Sequence, residues 1–261
     1  MKKRIVTIAL VIALLCTCFA GTYAYLTDTD AATNVMTLGN VDIEQLEFER
    51  DADGNLVTFS QDKRLYPAVN PSMEWSSEAV DFPTNVENAA RGSQLMFVEP
   101  NAQDKFVFVK NTSTLGSEAF VRTLIALEAG SKTEAEIDEL IGISYHDKTW
   151  TLGKQVYTKI DGKNYVVLEM VYTGRADDND KNGVLPAGET TTASLCQIYL
   201  ASFATNADVN ALDGNGNNKY DVIVLSQAVQ TEGFTNPQTA LDTAFGVVTE
   251  AKATEWFEAI D

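Results

Sequence analysis

The chain has 261 residues, 45% of them hydrophobic and 21% charged, with 19 Lys+Arg against 37 Asp+Glu and a formal net charge of −18. A surface of that sign repels phosphate backbones and anionic headgroups, which excludes nucleic-acid binding through a basic face. The apolar share and the 9% aromatic content exclude a disordered acidic chain, and a chain of this length hides about three quarters of its unfolded surface on folding.

The first element is a targeting segment. Lys2-Lys3-Arg4 is a short basic stretch, residues 5–20 (IVTIALVIALLCTCFA) are apolar, and Gly21-Thr22-Tyr23-Ala24 follows. The apolar run rises about 24 Å as helix, short of the roughly 30 Å hydrocarbon core. This plan predicts a secretory signal peptide over residues 1–24, cut between Ala24 and Tyr25. An uncleaved anchor extended through residues 22–26 is the alternative. Cleavage removes Lys2, Lys3 and Arg4 and moves the net charge from −18 to −21. It also removes Cys16 and Cys18, so the exported chain keeps only Cys196 and has no internal disulfide. Cys196 sits in an apolar run and reads as a small buried side chain.

Residues 25–40 form an extended segment, and residues 41–261 read as one β-rich domain. In residues 40–49 (NVDIEQLEFE), Val41 and Ile43 alternate with acids, then Leu46 and Phe48 take the other parity, which predicts a bulge. Residues 51–54 (DADG) turn the chain into a return strand at 56–59 (LVTF). Residues 65–88 are irregular, interrupted by Pro67, Pro71 and Pro83.

Runs at 94–98, 105–110, 119–128, 165–172 and 192–203 are strands, several apolar on both parities as in strands buried on both faces. Residues 148–152, 155–160 and 221–229 are further strands, with Asp161-Gly162 as a tight turn. Helices are few. Residues 131–141 open with a capping box, Ser131 and Glu134, and Asn236-Pro237 caps a helix that Gly246 stops. Residues 249–260 form a last helix with Trp256, Phe257 and Ile260 on one side. The fold class is mainly β: an antiparallel β-sandwich with small helical insertions and a helical C-terminus.

Catalytic signatures are scarce. The single histidine, His146, excludes the HExxH zinc type and reads as a surface or turn residue. No nucleophile elbow or phosphate loop is present, and a carboxylate hydrolase has no motif to support it. No catalytic residue is assigned, and no cofactor is required. Asp178, Asp180, Asn182, Gly183 and Glu189 match the spacing D-x-[DN]-x-[DN]-G-x5-E, which makes calcium the candidate metal. The flanks read as strands, and Pro186 stands at position 9, so this is a β-loop rather than an EF-hand. The other reading is a solvated acidic hairpin loop. Residues 213–221 (DGNGNNKYD) are a weaker echo and read as a turn.

The start of the chain carries a family likeness. Residues 21–30 (GTYAYLTDTD), Ala32-Thr33-Asn34 and residues 38–43 (LGNVDI) resemble the TasA/camelysin family, exported proteins of Gram-positive bacteria processed by a dedicated signal peptidase. Residues 106–113 (FVFVKNTS), 119–125 (AFVRTLI), 185–191 (LPAGETT), 227–234 (QAVQTEGF) and 240–246 are more loosely similar.

The resemblance implies a jelly-roll fold and a secreted, non-enzymatic structural protein of the extracellular matrix or cell surface. Its partners would be other copies of itself or other matrix proteins. The freed segment Tyr25, Leu26, Thr27, Asp28, Thr29 and Asp30, running to about Leu38, would add a strand to the next subunit of a fibre. Camelysin carries a protease label, but this chain has no matching zinc ligands. The alternative is a secreted or surface binding module for calcium or glycan, with Trp75 or Trp150 stacking on sugar. Neither reading leaves the protein inserted in a membrane after cleavage.

Overall fold

Strand β9 (Ala119–Glu128) is buried along its whole length, and the layers on its two sides explain why. In the computed structural model β9 lies inside a six-stranded antiparallel sheet. The structure describes residues 26–31, 38–39, 41–51, 53, 55–60, 65, 67–68, 73–75, 95–97, 102–114, 116–174, 182–214, 216–217 and 219–260, those at 26–31, 38–39, 68, 73–75 and 95–97 by backbone alone. The first sheet runs β11 (Trp150–Ile160), β12 (Lys163–Tyr172), β9, β14 (Val222–Gln230), β1 (Leu26–Ala31), β2 (Leu38–Gly39). The second runs β10 (Ile141–Ser144), β13 (Leu195–Ala201), β8 (Gln103–Asn111), β3 (Ile43–Arg50), β4 (Leu56–Thr58), with β5 (Pro67–Ala68) parallel on β13. Strands β6 (Met73–Trp75) and β7 (Leu95–Phe97) pair with each other. The protein is a β-sandwich.

Alternation along each strand sorts side chains between layers. Val107 and Val109 of β8, Val121 and Ile125 of β9, Val166 and Met170 of β12 and Val224 of β14 meet between the sheets. On the far side of the first sheet, the other parity of the same strands packs under two C-terminal helices, α3 (Pro237–Phe245) and α4 (Glu250–Glu258). Ala240 and Leu241 of α3 meet Phe120, Val171 and Val229, while Ala253 and Phe257 of α4 meet Leu124, Val167 and Leu225. Burying one such side chain contributes about 1.5–3 kcal/mol. The two-sided apolar runs in the sequence are thus explained by a three-layer arrangement on this side. The second sheet has its own outer cluster of Phe48, Leu56, Phe106, Phe108, Ala193 and Cys196.

Several local expectations are corrected. Strand β3 pairs β8 without interruption from Ile43–Asn111 to Phe48–Phe106, so it carries no bulge. Its parity switch has another cause: Ile43 packs between the sheets, while Phe48 faces the outer aromatic cluster. The bulge is in β11, where the register shifts between Leu152 and Gln155, and the two segments expected at 148–152 and 155–160 are one strand. The first helix, α1 (Glu134–Leu140), is capped by Thr133 with Glu136, not by Ser131 with Glu134. The apolar stripe decides this: with Thr133 as cap, Ile137 and Leu140 are both buried. Helix α2 (Asn206–Leu212) follows β13, capped by Thr205 and Asp208, where the sequence reading had no element.

Candidate assembly edge

Leu26, Thr27, Asp28, Thr29 and Asp30 lie in strand β1. It pairs antiparallel with β14, placing Thr27 opposite Val229, Asp28 opposite Ala228, Thr29 opposite Gln227, Asp30 opposite Ser226 and Ala31 opposite Leu225. The short alternating Thr/Asp stretch can do this because docking on an existing edge needs main-chain bonds before it needs apolar side chains. On its other side β1 pairs β2 only at Leu26–Gly39 and Thr27–Leu38. Residues 28–31 thus have a single strand neighbour among the described residues. The expected signal peptide, with Ala24 and Tyr25 at its cleavage point, lies outside the described residues.

Beneath the seat of β1, a polar row crosses the outer face of the first sheet. Arg122 of β9 and Glu169 of β12 are both fully buried, and Arg122 Nη1 stands 3.1 Å from Glu169 Oε1. Arg122 Nη1 also reaches Asp242 Oδ1 of α3 at 3.3 Å, and Nη2 donates to the Gly246 carbonyl at 3.2 Å. Arg122 Nε donates to Gln227 Oε1 of β14 at 2.7 Å. The guanidinium lies 4.8 Å from the Trp256 ring centre and 5.6 Å from that of Phe245. Burial pulls the guanidinium below its ordinary pKa, against the opposing pull of Glu169 and then Asp242.

At the far end of the row, Glu169 Oε2 accepts the Lys154 N–H at 3.1 Å. A Cβ on Gly153 would lie 2.6 Å from that same oxygen, so the β11 bulge is where the strand makes room for a buried carboxylate. The row therefore ties β11, β12, β9, β14 and both C-terminal helices into one unit. The periodic apolar pattern of 119–128 hid Arg122, and only its charge inside an apolar strand marked it.

No protein-family model, curated protein or solved structure matches the chain.

The expected calcium loop, Asp178, Asp180, Asn182 and Glu189, is only partly covered by the structure. Asp178 and Asp180 lie outside the described residues. Asn182 Oδ1 accepts the Val184 N–H at 3.1 Å. Gly183, with φ +76°, is packed so that a Cβ would meet the Tyr172 carbonyl and Pro237. Beyond it Leu185 bridges Ala119, and the Glu189 carbonyl accepts from Asn111 N. That half of the loop is held to strands β8 and β9. No three His, Cys, Asp or Glu side chains among the described residues are grouped to hold a metal ion.

His146 is not at the surface. It is 1% exposed, and its Nδ1 lies 2.8 Å from Thr149 Oγ1. That hydroxyl in turn bonds Thr192 Oγ1, while Trp150 Nε1 donates to the Thr192 carbonyl. The sequence showed His146 after a helix and beside Asp147, as in a turn, but not that the β13 approach folds over it. Trp150 is buried against Tyr172, which removes it as a sugar platform. The side chain of Trp75 lies outside the description. Cys196 is buried as expected, and burial pushes its thiol far above the ordinary value.

Proposed function

We propose that this is a secreted, non-enzymatic structural protein of the cell surface or extracellular matrix, which assembles with copies of itself by donating its N-terminal strand. The observation that carries this reading is the position of β1: among the described residues it is a near-edge strand paired on its outer side at Leu26 and Thr27 alone, and it follows directly on the predicted cleavage point. A strand attached by main-chain bonds to one edge can attach equally to the same edge of another copy. Such a head-to-tail contact does not close on itself and builds a filament. The burial of the only histidine and of Cys196 supports a non-catalytic role, because both groups are enclosed by structural contacts. The resemblance of residues 21–43 to the TasA/camelysin family points the same way. No cofactor is needed for this role.

The test is to compare the chain 25–261 with the chain 39–261 by sedimentation velocity and electron microscopy over a range of concentrations. The longer form is expected to give filaments and the shorter one to stay monomeric. Identical sedimentation of the two would refute the proposal.

A further inference from the structure

The first sheet has an open edge at the end away from β1. Main-chain groups alternate sides along a strand. The Ala129 N–H donates to the Asn164 carbonyl, which turns the main-chain groups of the even-numbered residues of β12 toward β9. Those of the odd-numbered residues therefore face β11, where Lys163, Tyr165 and Val167 are paired with Ile160, Thr158 and Val156. This leaves the N–H and C=O groups of Gln155, Tyr157 and Lys159 pointing out of the sheet. The Lys159 carbonyl accepts from Thr254 Oγ1 of α4 at 2.8 Å. The outward groups of Gln155 and Tyr157 meet no hydrogen-bond partner among the described residues. The side chains along this rim are already held. Gln155 Nε2 donates to Asp138 Oδ1 of α1 at 2.9 Å, Tyr157 Oη to the Lys132 carbonyl at 2.9 Å, and Thr158 Oγ1 to the Glu250 carbonyl of α4 at 3.1 Å. A strand arriving here meets a preformed edge and has only itself to order.

The rim is also basic, in an acidic chain. Residues 148–163 carry Lys148, Lys154, Lys159 and Lys163 against one acid, Asp161. Lys154 and Lys159 are exposed, and neither makes an ion pair among the described residues. Lysines on an edge discourage pairing with a like edge, so a second β11 is repelled while an acidic extended segment is attracted. Residues 25–38 hold Asp28 and Asp30 and no Lys or Arg. We propose that the outward edge of β11, residues 155–159, is the acceptor for the freed N-terminal segment of a second copy, which pairs there through main-chain bonds and is selected by Lys154 and Lys159. The chain's own segment is not the occupant while it forms β1, because β12, β9 and β14 stand between the two positions, a span of roughly 19 Å. Donor and acceptor sit at opposite ends of one sheet, so a copy that has donated its segment still presents its own β11, and the contact does not close. The inference rests on the strand-donation reading above and adds an acceptor that needs no copy to vacate its β14 first.

The experiment follows hydrogen exchange of the chain 25–261 below and above its assembly concentration, with sedimentation velocity at low salt. On assembly the Gln155, Tyr157 and Lys159 amides are expected to exchange about tenfold more slowly or better, while Val156 and Thr158, bonded to β12 in either state, change little. Lys154→Glu with Lys159→Glu is expected to raise the concentration needed for assembly about tenfold. Adding Asp28→Lys and Asp30→Lys to that same chain is expected to restore assembly. Filaments whose Gln155, Tyr157 and Lys159 amides exchange as fast as in the monomer overturn the inference without any variant, and leave strand donation standing. Unchanged assembly of the Lys154→Glu, Lys159→Glu chain also overturns it. If the chains 25–261 and 39–261 sediment alike, strand donation itself fails, and the acceptor with it.

Discussion

Replacing Arg122 with methionine would leave two carboxylates, the Gln227 amide oxygen and the Gly246 carbonyl facing an apolar side chain. Arg122 and Glu169 are both fully buried, whereas Asp242 keeps 24% of its side-chain surface. Removing one partner of a buried pair costs about 3–5 kcal/mol, because the other charge remains desolvated and uncompensated. Asp242 can turn to water, so the main loss falls on Glu169, and Arg122→Met is expected to cost about 4 kcal/mol. In a chain of this size that corresponds to a fall in Tm of roughly 8–16 °C. Glu169→Gln alone should also destabilise. The double variant should cost clearly less than the two singles added, since it removes the stranded charge. The assay is urea unfolding followed by tryptophan fluorescence, which Trp256 reports directly because its ring faces the guanidinium. If Arg122→Met costs under about 1 kcal/mol with an unchanged m-value, the row does not hold the C-terminal helices to the sheet.

Other consequences can be checked on the same material. Cys196, with its thiol raised by burial, should resist iodoacetamide at pH 8 in the native protein and react fully in urea; rapid native alkylation would contradict its enclosure. Gly130→Ala should cost more than about 2 kcal/mol, because φ is +54° and the new Cβ would lie 2.0 Å from the Ala211 carbonyl. Gly116→Ala, with φ +73° but open space around it, should cost only about 1–2 kcal/mol. Burial raises the Glu128 carboxyl, opposed by N–H groups of Asp221 and Gly214. The folded state therefore binds this proton more tightly than the unfolded state, and the contribution of Glu128 to stability falls as pH rises through its folded value. Relative to Glu128→Gln, the parent should gain stability as pH drops from 7 toward the ordinary glutamate range; a difference constant with pH would refute this.

The layers were legible in the sequence and some of the elements were not. The two-sided apolar runs at 119–128 and 165–172 announced strands enclosed on both faces, and α3 and α4 supply the second cover. Asn236 and Gly246 marked the ends of α3 because a cap and a stop are local chemistry. The bulge was misplaced because parity in one strand does not tell a slipped register from a strand with two apolar faces, which is what β3 is. Helix α1 was offset because Ser131-Glu134 and Thr133-Glu136 satisfy the same capping rule, and only burial of Ile137 chooses between them. His146 and Arg122 were missed as interior residues for one shared reason: a sequence shows a polar side chain's type, while its burial depends on partners such as Thr192 and Glu169 that arrive from distant strands.

The same contacts that seat β1 on its own chain would seat it on a neighbour, so what favours exchange is a matter of concentration rather than of new bonds. A tethered segment experiences an effective concentration of order millimolar, and the six residues of β1 must be ordered at roughly 1–2 kcal/mol each before their main-chain bonds gain anything. Docking is then weak for a free strand and adequate for a tethered one. A synthetic peptide of residues 25–38 added to the chain 39–261 should therefore slow β14 hydrogen exchange only as its concentration approaches the millimolar range. Added in the same excess to the chain 25–261, it should cap filament ends and shorten the filaments. A peptide with Leu26–Ala31 in scrambled order is the control, because it keeps the composition and charge and loses the register. Equal protection by the two peptides would mean that β14 accepts any extended segment, and the register of β1 on β14 would not govern assembly.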